Sequence, residues 1–486
     1  MVVAIRNNLL NAGVAFGDAV LLMSRNHIDL PSVIFGIILS GAICIPVNPV
    51  STEEELLHII HISKAKWAIV SQEANNTVLT STGPVTSSAL RKIWTMDEIL
   101  ATGSNSARQL EPYQSQSLMA DDIDWSQRVA LMPFSAGTTG LPKGVMLSHR
   151  NILVNLIQIK FLRSVRPQVK TNFYERVLLV LPLYHIYGFN QCMATFFAGG
   201  TVFFPSKFSI HGFLRAIDLH KITYAPVTPY VIERVHEYPK LQDYDLSSLV
   251  GFATGAAPVS CKTLLSLQKK IDSRIIHGYG LTEASGNGCT TRGSSEVSAA
   301  SVGPPGPFLQ AKVVDTETGR LLGEREEGEI CFRGPAVMMG YANNPKATAE
   351  IIDSDGWLRT GDIGYYDENN HLYITDRIKD LIKVKGYQVS PTELENVIMK
   401  YGNVSDVAVA GVQHRNLGEA PRAWIVPAEG ATIDIVNLMK YVADQVVQYK
   451  QLAGGVEIVN SIPRNHIGKI LRRQLQQSSV PPNSKL

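Results

Sequence analysis

Short apolar runs, each closed by glycine or proline or bounded by a turn residue, recur through the first three quarters of the chain. Their length and their content of β-branched and aromatic residues predict buried strands. Helix-like stretches such as NILVNLIQIKFL and SCKTLLSLQKKI lie between them. An alternation of this kind predicts α/β layering on a largely parallel sheet. The clearest runs are VLLVLP, TVFFP, ITYAPV and LVGFATG, at residues 177–182, 201–205, 222–227 and 249–255.

The pattern changes after about Lys312, where hairpin-like segments such as AKVVDTETGRLLGEREEGEICFRGP replace the alternation. A chain of 486 residues also exceeds what one hydrophobic core usually serves. We therefore predict an α/β fold with a large N-terminal domain of layered α/β subdomains, residues 1–378, and a smaller C-terminal α+β domain, residues 379–486. Early in the second domain, the sequence Ser-Pro-Thr-Glu at 390–393 predicts a helix start with a capping box.

Charge and cysteine content exclude several classes of protein. The formal net charge of +2 lacks the basic excess of a nucleic-acid binder. Five scattered cysteines without a C-x-x-C pair argue against zinc and a disulfide framework, and favour reduced thiols inside a cell. The sequence also lacks the patterns of a signal peptide and of a membrane span. The N-terminus shows no signal-peptide pattern.

The uncharged segment 30–52 is broken by prolines, so it predicts a buried helix leading into a buried strand and no transmembrane segment.

The last three residues, Ser484-Lys485-Leu486, match the peroxisomal import tripeptide. The preceding tail, QQSSVPPN, is polar and contains proline, so an import receptor could reach the tripeptide. We expect a peroxisomal protein, or a cytoplasmic one if the tripeptide is not read.

The stretch 133–151, PFSAGTTGLPKGVMLSHRN, has the composition of a phosphate-binding loop. The common phosphate loop needs Gly-Lys-Ser/Thr together, whereas Lys143 stands between proline and glycine. Glycines allow backbone N–H groups to converge on anionic oxygens. Thr138 and Thr139 add hydroxyl donors, and Lys143 adds a point charge suited to phosphate. A plain glycine-rich turn is the alternative.

The stretch HGYGLTEAS, residues 277–285, combines a flanked aromatic residue with a carboxylate. Gly278 and Gly280 flank Tyr279, so the backbone there can approach a ligand closely. Tyr279 could stack on a planar base, and Glu283 could hold a magnesium ion, which prefers carboxylate oxygens. A strand-ending turn is an equally good interpretation of this stretch by itself.

Two further stretches carry weaker signals when taken alone. In TGDIGYYDENNHLYITDRIKDLIKVKGYQ, Asp362 and Arg377 suit a ribose diol. In PRNHIGKILRRQL, Lys469 follows a glycine in a short basic loop. By themselves, a Gly-Asp turn and a solvated basic surface are the better interpretations.

In this order and spacing, the four stretches resemble the adenylate-forming superfamily, which contains acyl-CoA synthetases, 4-coumarate–CoA ligases, beetle luciferases and peptide-synthetase adenylation domains. The likeness covers residues 20–475. Within the family, LPLYHIYGFN, TGAAP and KVKGYQVSPTELE are most similar to the 4-coumarate–CoA ligase and luciferase branch. The other matching motifs are FSAGTTGLPKGVMLSHRN, GYGLTE, TGDIGYYD, DRIKDLIKVKGYQVSPTELE and PRNHIGKI.

The resemblance implies two half-reactions. A carboxylate attacks the α-phosphate of Mg-ATP, giving an acyl-adenylate and pyrophosphate, and the thiol of coenzyme A then displaces AMP. The implied cofactor and co-substrates are Mg²⁺, ATP and coenzyme A. Positive groups that neutralise the phosphate oxygens are the usual means of catalysing such transfers.

The resemblance also implies a role for each matched residue. Glu283 would bind magnesium, with Thr138 as a second candidate ligand. Lys469 would bridge the carboxylate and the α-phosphate, and would be catalytic together with His185, Thr282 and Glu283. The residues implied to bind ATP or AMP are Ser135, Ala136, Gly137, Thr138, Thr139, Gly140, Lys143, Gly255, Ala256, Ala257, Tyr279, Gly280, Thr282, Asp362, Arg377, Lys383, Gln388 and Lys469.

The remaining implied roles concern the acid, the hinge and the second half-reaction. Lys379 would be the hinge about which the small domain swings, removing Lys469 and bringing KVKGYQ toward the site. Lys385 and Gly386 would bind coenzyme A, and Lys383 and Gln388 would serve thioester formation or nucleotide contacts. The implied acyl pocket consists of His185, Tyr187, Asn190, Gly278 and Gly280. For His185, a structural histidine at a strand end is the alternative.

The sequence departs from the family pattern in three places. Ala136 replaces a serine of the family loop, GNGCTT follows GYGLTEAS, and relatives generally carry several dozen residues before the first helix of this chain. We expect a fatty acid, or an aromatic or cyclic propenoic-type acid, as substrate. A luciferase-like monooxygenase and a catalytically inactive, shortened binding protein stay open as alternatives. A peptide-synthetase adenylation domain is disfavoured, because no carrier motif follows.

Overall fold

The computed structural model describes residues 1–74, 90–106, 124–135, 142–164, 174–205, 207–257, 261–271, 273–286, 288–291, 301–385, 387–464, 468 and 470–478. Over these residues the chain forms a large α/β domain with two mainly parallel sheets and one antiparallel sheet, followed by a smaller α+β domain with a sheet of its own. The predicted fold class is confirmed. The helices are α1 Val2–Asn11, α2 Leu30–Leu39, α3 Glu53–Ser63, α4 Met96–Ser106, α5 His149–Ser164, α6 Ile186–Phe197, α7 Ile210–His220, α8 Pro229–His236, α9 Cys261–Ile271, α10 Pro345–Ile351, α11 Pro391–Ile398, α12 Ile435–Gln445 and α13 Arg472–Ser478.

The first sheet has the order β16-β7-β5-β2-β1-β3-β4 among the described residues, with β6 paired to β7. Its N-terminal strands pair in parallel around β1, and β5, β6 and β16 run antiparallel to β7. The segment 30–52 forms α2 and then β2, as predicted. The strands are β1 Ala19–Met23, β2 Ile43–Val47, β3 Trp67–Val70, β4 Lys92–Thr95, β5 Val129–Leu131, β6 Phe134–Ser135, β7 Lys143–Ser148 and β16 Gly340–Tyr341.

The second sheet, of order β13-β12-β11-β10-β8-β9, holds the strands predicted from the four apolar runs. Its strands are parallel except for the short β13 at one edge. β10 and β11 are buried along their whole length, which explains why they are continuous apolar runs rather than alternating ones. The strands are β8 Arg176–Leu178, β9 Thr201–Phe203, β10 Tyr224–Val227, β11 Gly251–Thr254, β12 Arg274–Tyr279 and β13 Cys289–Thr290.

The hairpin-like segments after Lys312 form the third sheet, which is antiparallel. The chain then enters the small domain, where a fourth sheet packs against α11 and α12. The third sheet comprises β14 Gln310–Val314, β15 Gly328–Arg333, β17 Leu358–Tyr366 and β18 Leu372–Arg377, and the fourth comprises β19 Ile382–Val384, β20 Tyr387–Val389, β21 Val404–His414, β22 Gly418–Pro427 and β23 Val456–Ile458.

Helix α11 begins as predicted, but only half of its expected capping box forms. Ser390 Oγ accepts a hydrogen bond from the backbone N–H of Glu393 at 3.0 Å. The Glu393 carboxylate binds Lys450 Nζ at 2.6 Å and 2.8 Å rather than returning to the cap. A salt bridge from a distant part of the domain therefore replaces the local contact. No helix in the described part of the chain has both the length and the apolar character needed to cross a bilayer.

Candidate active site

A cleft of about 2610 Å³ lies between the two domains. Its floor is formed by the carboxyl ends of β11 and β12 and the segments that follow them, the usual position of ligands on open α/β sheets. The third sheet contributes Asp362 and Arg377, and the small domain contributes the loop around Gly468. The cleft therefore brings together residues from all four motif-bearing stretches.

Asp362 and Arg377 face each other across two neighbouring strands, in register between β17 and β18. Arg377 donates from Nε to Asp362 Oδ1 at 2.5 Å, and Tyr279 donates from its hydroxyl to Asp362 Oδ2 at 2.5 Å. Burial would lower the pKa of Arg377, but the Asp362 carboxylate raises it, so the guanidinium stays charged. This buried cluster presents a carboxylate and a cation on one wall of the cleft, an arrangement that can hold a diol.

The segment after β11 lies directly against β12. A Cβ at Gly255 would stand 2.7 Å from the carbonyl oxygen of Gly278, so only glycine fits there. Ala256 has φ +71°, a left-handed conformation that turns the chain beside Tyr279. Gly255, Ala256 and Ala257 all line the cleft, as do Tyr279 and Gly280. The structure therefore brings the predicted adenine-lining residues together.

Glu283 lies in a 3₁₀ turn, Thr282–Ala284, and lines the cleft. Its Oε1 accepts hydrogen bonds from Ser135 Oγ at 3.0 Å and from the Tyr341 hydroxyl at 2.8 Å. Lys143 Nζ lies 4.8 Å from the centre of the Tyr341 ring. Ala136, Gly137, Thr138, Thr139 and Gly140 lie outside the described residues, so their predicted phosphate contacts stay predictions.

Tyr341 is a site residue that the sequence reasoning missed. It belongs to β16, a two-residue strand that pairs with β7 far away in sequence. Burial raises the pKa of its hydroxyl, and the Glu283 carboxylate raises it further, so the hydroxyl stays a donor. The short segment GYANN contains no sequence pattern that predicts a site residue. Only the pairing of β16 with β7 shows that Tyr341 lies beside Lys143.

The residues around Glu283 fit a magnesium ion. Magnesium is usually held by one or two carboxylates and by substrate phosphates and water, rather than by an all-protein cage. The described residues contain no group of three or more His, Cys, Asp or Glu that could enclose a metal. Glu283 is thus a suitable single carboxylate ligand, oriented by the Ser135 and Tyr341 hydroxyls.

Lys469 lies outside the described residues, but the residues on both sides of it are placed. Gly468 and Ile470 line the cleft, and Arg464 donates from Nη1 to the Gly468 carbonyl at 3.1 Å. A side-chain carbon at Gly468 would lie 3.8 Å from Tyr230 Cβ on α8. Gly468 of the small domain therefore lies next to α8 of the large domain.

The predicted acyl-pocket residues line the cleft, as do residues of α5, of α6 and of the second sheet. His185 is the residue before α6, and Tyr187 in its first turn donates to the Ala253 carbonyl at 3.1 Å. Burial raises the pKa of Tyr187 well above its usual value. Asn190 donates from Nδ2 to Asn155 Oδ1 at 2.9 Å and to the Ser285 carbonyl. Gly278 and Gly280 line the cleft as well.

The residues predicted for the second half-reaction lie elsewhere. Lys383 and Gln388 face each other in the hairpin formed by β19 and β20, and both are exposed. Lys385 is exposed at the turn of this hairpin, with φ +48°, and Gly386 lies outside the described residues. None of the three described side chains lines the cleft, whereas Lys379 does. Their roles stay predictions that require the small domain to move.

Comparisons with known proteins agree with this geometry. The family described as AMP-binding enzyme matches residues 1–342, and the AMP-binding enzyme C-terminal domain matches residues 393–469. A 4-coumarate–CoA ligase-like 9 of Arabidopsis thaliana is 34% identical over 95% of this chain and 80% of its own length. Peroxisomal OPC-8:0-CoA ligase 1 of Arabidopsis thaliana is 34% identical over 98% of this chain and 86% of its own. A luciferin 4-monooxygenase of Nipponoluciola cruciata is also 34% identical, over 98% and 88%.

Among solved structures, ATP-bound MatB from Rhodopseudomonas palustris superposes with a TM-score of 0.88 at 26% identity, covering 98% of this chain and 92% of that one. The ligand-free structure of the same protein gives 0.76 at 26% identity, over 98% and 91%. The arrangement of the present chain is therefore closer to the ATP-bound form. The chain belongs to the adenylate-forming family of AMP-binding enzymes.

Proposed function

We propose that the chain is an AMP-forming acid–CoA ligase. It activates a carboxylic acid with ATP to an acyl-adenylate, releasing pyrophosphate, and transfers the acyl group to the thiol of coenzyme A, releasing AMP. The observation that carries this proposal is one cleft lined by the Asp362–Arg377 pair, by Glu283 and, from the small domain, by Gly468 and Ile470, the neighbours of Lys469. That arrangement can hold the ribose, the phosphates and a reacting carboxylate at once.

The chain's own residues have distinct tasks in the first half-reaction. Asp362 accepts hydrogen bonds from the ribose hydroxyls while Arg377 holds the carboxylate in place. Lys143 and the loop before it neutralise the leaving pyrophosphate. Glu283 would hold a magnesium ion, which would supply further positive charge to the phosphate oxygens. The Lys469 ammonium group holds the carboxylate next to the α-phosphate, so that nucleophile and electrophile meet in the reactive orientation.

The second half-reaction requires a different domain arrangement. The observed arrangement resembles the ATP-bound form of a relative and leaves Lys383, Lys385 and Gln388 outside the cleft. Rotation about Lys379, between β18 and β19, would withdraw Lys469 and turn the β19–β20 hairpin toward the acyl-adenylate. We propose that Lys385 and Gly386 then contact coenzyme A.

The substrate is a fatty acid or an aromatic or propenoic-type acid. Relatives named as CoA ligases of 4-coumarate and of OPC-8:0 support an organic acid as the substrate, and the 4-coumarate ligase supports the aromatic class. The test is a panel of such acids scored by pyrophosphate release that depends on the acid, and by acyl-CoA formation. Absence of turnover of every acid by folded protein would refute the ligase proposal and favour an inactive binding protein.

One variant and one control assay make this test specific. Lys469→Ala should abolish adenylate formation while presynthesised acyl-adenylate still reacts with coenzyme A, and equal loss of both steps would contradict the role of Lys469. Luciferase relatives of similar identity call for an assay of light emission with luciferin and oxygen. Strong emission without acyl-CoA formation would favour the monooxygenase alternative.

We also propose that the protein is imported into peroxisomes through Ser484-Lys485-Leu486, which lies outside the described residues. A relative named as peroxisomal supports this localisation. Removing Leu486 should leave a fluorescently tagged protein in the cytosol. Unchanged import of the shortened protein would refute the proposal that this tripeptide is the import signal.

A further inference from the structure

Helix α3 is anchored in the first sheet and also reaches the cleft. Leu56, Ile59 and Ile60 are buried in one core cluster with residues of β1, β2 and β3. A capping box at Thr52 closes the N-terminal end of the helix. His58, on the same helix, lines the cleft. The helix can therefore serve as a fixed support for the segments that it contacts there.

His58 connects this helix to the chain directly before Lys143. Its Nε2 atom donates a hydrogen bond to the carbonyl oxygen of Pro142 at 2.9 Å. A carbonyl oxygen can only accept a hydrogen bond, so the imidazole carries a proton on Nε2. Because the peptide bond is planar, holding the Pro142 carbonyl also holds the backbone nitrogen of Lys143.

This contact lies at the end of the backbone pairing between β6 and β7. Phe134 pairs with Gly144 and Ser135 pairs with Lys143. Pro142, the next residue toward the N-terminus of the chain, has no N–H group and cannot donate to a continuation of this pairing. A side chain from another element therefore holds the backbone where strand pairing cannot.

A second hydrogen bond connects the same helix to the chain just after Tyr341. Asn343 donates from Nδ2 to the carbonyl oxygen of Ile62 at 2.7 Å. Ile62 lies in the last turn of α3, where carbonyl groups have no partner within the helix. His58 and Ile62 are four residues apart, so the two contacts lie about one turn apart on the same side of α3.

The two contacts support the segments that carry Lys143 and Tyr341. Tyr341 pairs with Val145 of β7, two residues after Lys143. Lys143 Nζ lies 4.8 Å from the centre of the Tyr341 ring, and the Tyr341 hydroxyl donates to Glu283 at 2.8 Å. Because a lysine side chain is flexible, a fixed backbone lowers the entropic cost of placing its ammonium group against a phosphate.

We propose that His58 is a positioning residue for Lys143: by holding the Pro142 carbonyl, it preorganises the lysine for the β- and γ-phosphates of ATP and for the pyrophosphate that leaves. This inference rests on the proposed function and adds a residue from outside the motif-bearing stretches. The acyl-adenylate has no β- or γ-phosphate. Its reaction with coenzyme A should therefore not depend on His58.

The experiment measures the binding of magnesium ATP and of magnesium pyrophosphate to the whole protein by calorimetry, together with the rates of the two half-reactions. His58→Leu removes the donor and should raise both dissociation constants about fivefold, as expected for the loss of one hydrogen bond. The KM for ATP should rise by a similar factor with little change in kcat, because binding is weakened without a change in the chemical step. The reaction of presynthesised acyl-adenylate with coenzyme A should keep its rate.

A conservative variant and a matched control separate this role from a general loss of stability. His58→Gln retains an N–H donor at the end of the side chain, so both dissociation constants should stay within about twofold of wild type. The control is His211→Leu, because His211 also lies on a helix and is hydrogen-bonded to the Tyr244 hydroxyl at 2.6 Å, but does not line the cleft. It should bind pyrophosphate as wild type does.

A further variant tests the support from α3 without changing His58. Asn343→Asp removes the amide donor to Ile62 and keeps a residue type that tolerates the left-handed backbone there, with φ +53°. It should also weaken pyrophosphate binding and leave the second half-reaction unchanged.

The outcomes for His58 and for the ligase function can be told apart. Unchanged pyrophosphate binding by His58→Leu, failure of His58→Gln to restore it, or equal loss of both half-reactions would overturn the inference and leave the ligase function standing. If wild type activates no acid, but pyrophosphate binding is weaker in His58→Leu and normal in His58→Gln, the ligase function is refuted and the role of His58 stands.

Discussion

At the scale of single residues, sequence motifs predict which residues belong to the site, but they do not predict the contacts between those residues. The GYGLTE motif places Tyr279 in the site, but the expected stacking role does not reveal that its hydroxyl binds Asp362 at 2.5 Å. Likewise, the sequence predicts that Glu283 is a metal ligand, but it does not show that the Tyr341 hydroxyl donates to its carboxylate. Contacts of this kind join strands that are distant in sequence, so periodicity and spacing carry no information about them.

The Tyr341 hydroxyl provides a test of how Glu283 is positioned. Tyr341→Phe removes one of the two hydroxyl donors to Glu283 Oε1 and keeps the ring beside Lys143. A hydrogen bond to a charged group contributes about 1.5–3 kcal/mol. With Ser135 still in place, we expect kcat/KM for ATP to fall about tenfold and the magnesium concentration for half-maximal rate to rise.

The matched control is Tyr366→Phe, because the Tyr366 hydroxyl lies 3.5 Å from the Leu322 carbonyl and does not line the cleft. Magnesium dependence should be normal in this control. An unchanged magnesium requirement in Tyr341→Phe would mean that Glu283 does not need Tyr341, or does not bind the metal.

At the scale of secondary-structure elements, local sequence patterns predicted helices and strands well where local interactions determine them. The run ITYAPV predicted β10, and the segment 30–52 predicted α2 followed by β2. The start of α11 followed from Ser390 and Pro391. The second half of its capping box did not form, because the binding of Glu393 to Lys450 is a tertiary contact that no local pattern contains.

Ser390 makes a testable contribution to the attachment of α11. Its hydroxyl accepts from the Glu393 N–H and donates to Asp376 Oδ2 at 2.5 Å, which ties the helix to the end of β18. Ser390→Ala should destabilise α11 by about 1 kcal/mol, the usual cost of losing such a cap. We expect its amide hydrogens to exchange about fivefold faster. The control Thr52→Ala, which removes the cap of α3, should accelerate exchange in α3 and not in α11.

At the scale of the whole molecule, the sequence indicated two domains, whereas their mutual orientation depends on contacts that only the structure shows. The predicted boundary at Lys379 falls between Arg377, the last residue of the third sheet, and Ile382, the first of the fourth. The boundary and its hinge role stay predictions. The cleft that joins the domains combines residues from both ends of the chain, which explains why no single motif was decisive by itself.

The small domain also contains a buried acid that links the stability of the molecule to pH. Burial raises the pKa of Glu395 on α11 to about 7, from an ordinary value of 4.5, even though Arg472 lies 2.7 Å away. Between these two values the folded protein binds a proton that the unfolded chain releases. The contribution of Glu395 to folding therefore becomes less favourable as pH rises from 4.5 to 7, with a limiting slope of about 1.4 kcal/mol per pH unit.

In Glu395→Gln the side chain no longer titrates, so this pH-dependent loss of stability is removed. The melting temperature of the variant minus that of wild type should therefore increase as the pH rises through this range, and should stay constant at higher pH. The difference between the two proteins is the quantity to measure, because the titration of all other groups cancels in it. Glu393→Gln is the matched control, since this carboxylate lies on the same helix but is partly exposed and binds Lys450. It should not reproduce the rise. A constant difference between Glu395→Gln and wild type from pH 4.5 to 7 would show that Glu395 is ionised throughout, held by Arg472 despite its burial.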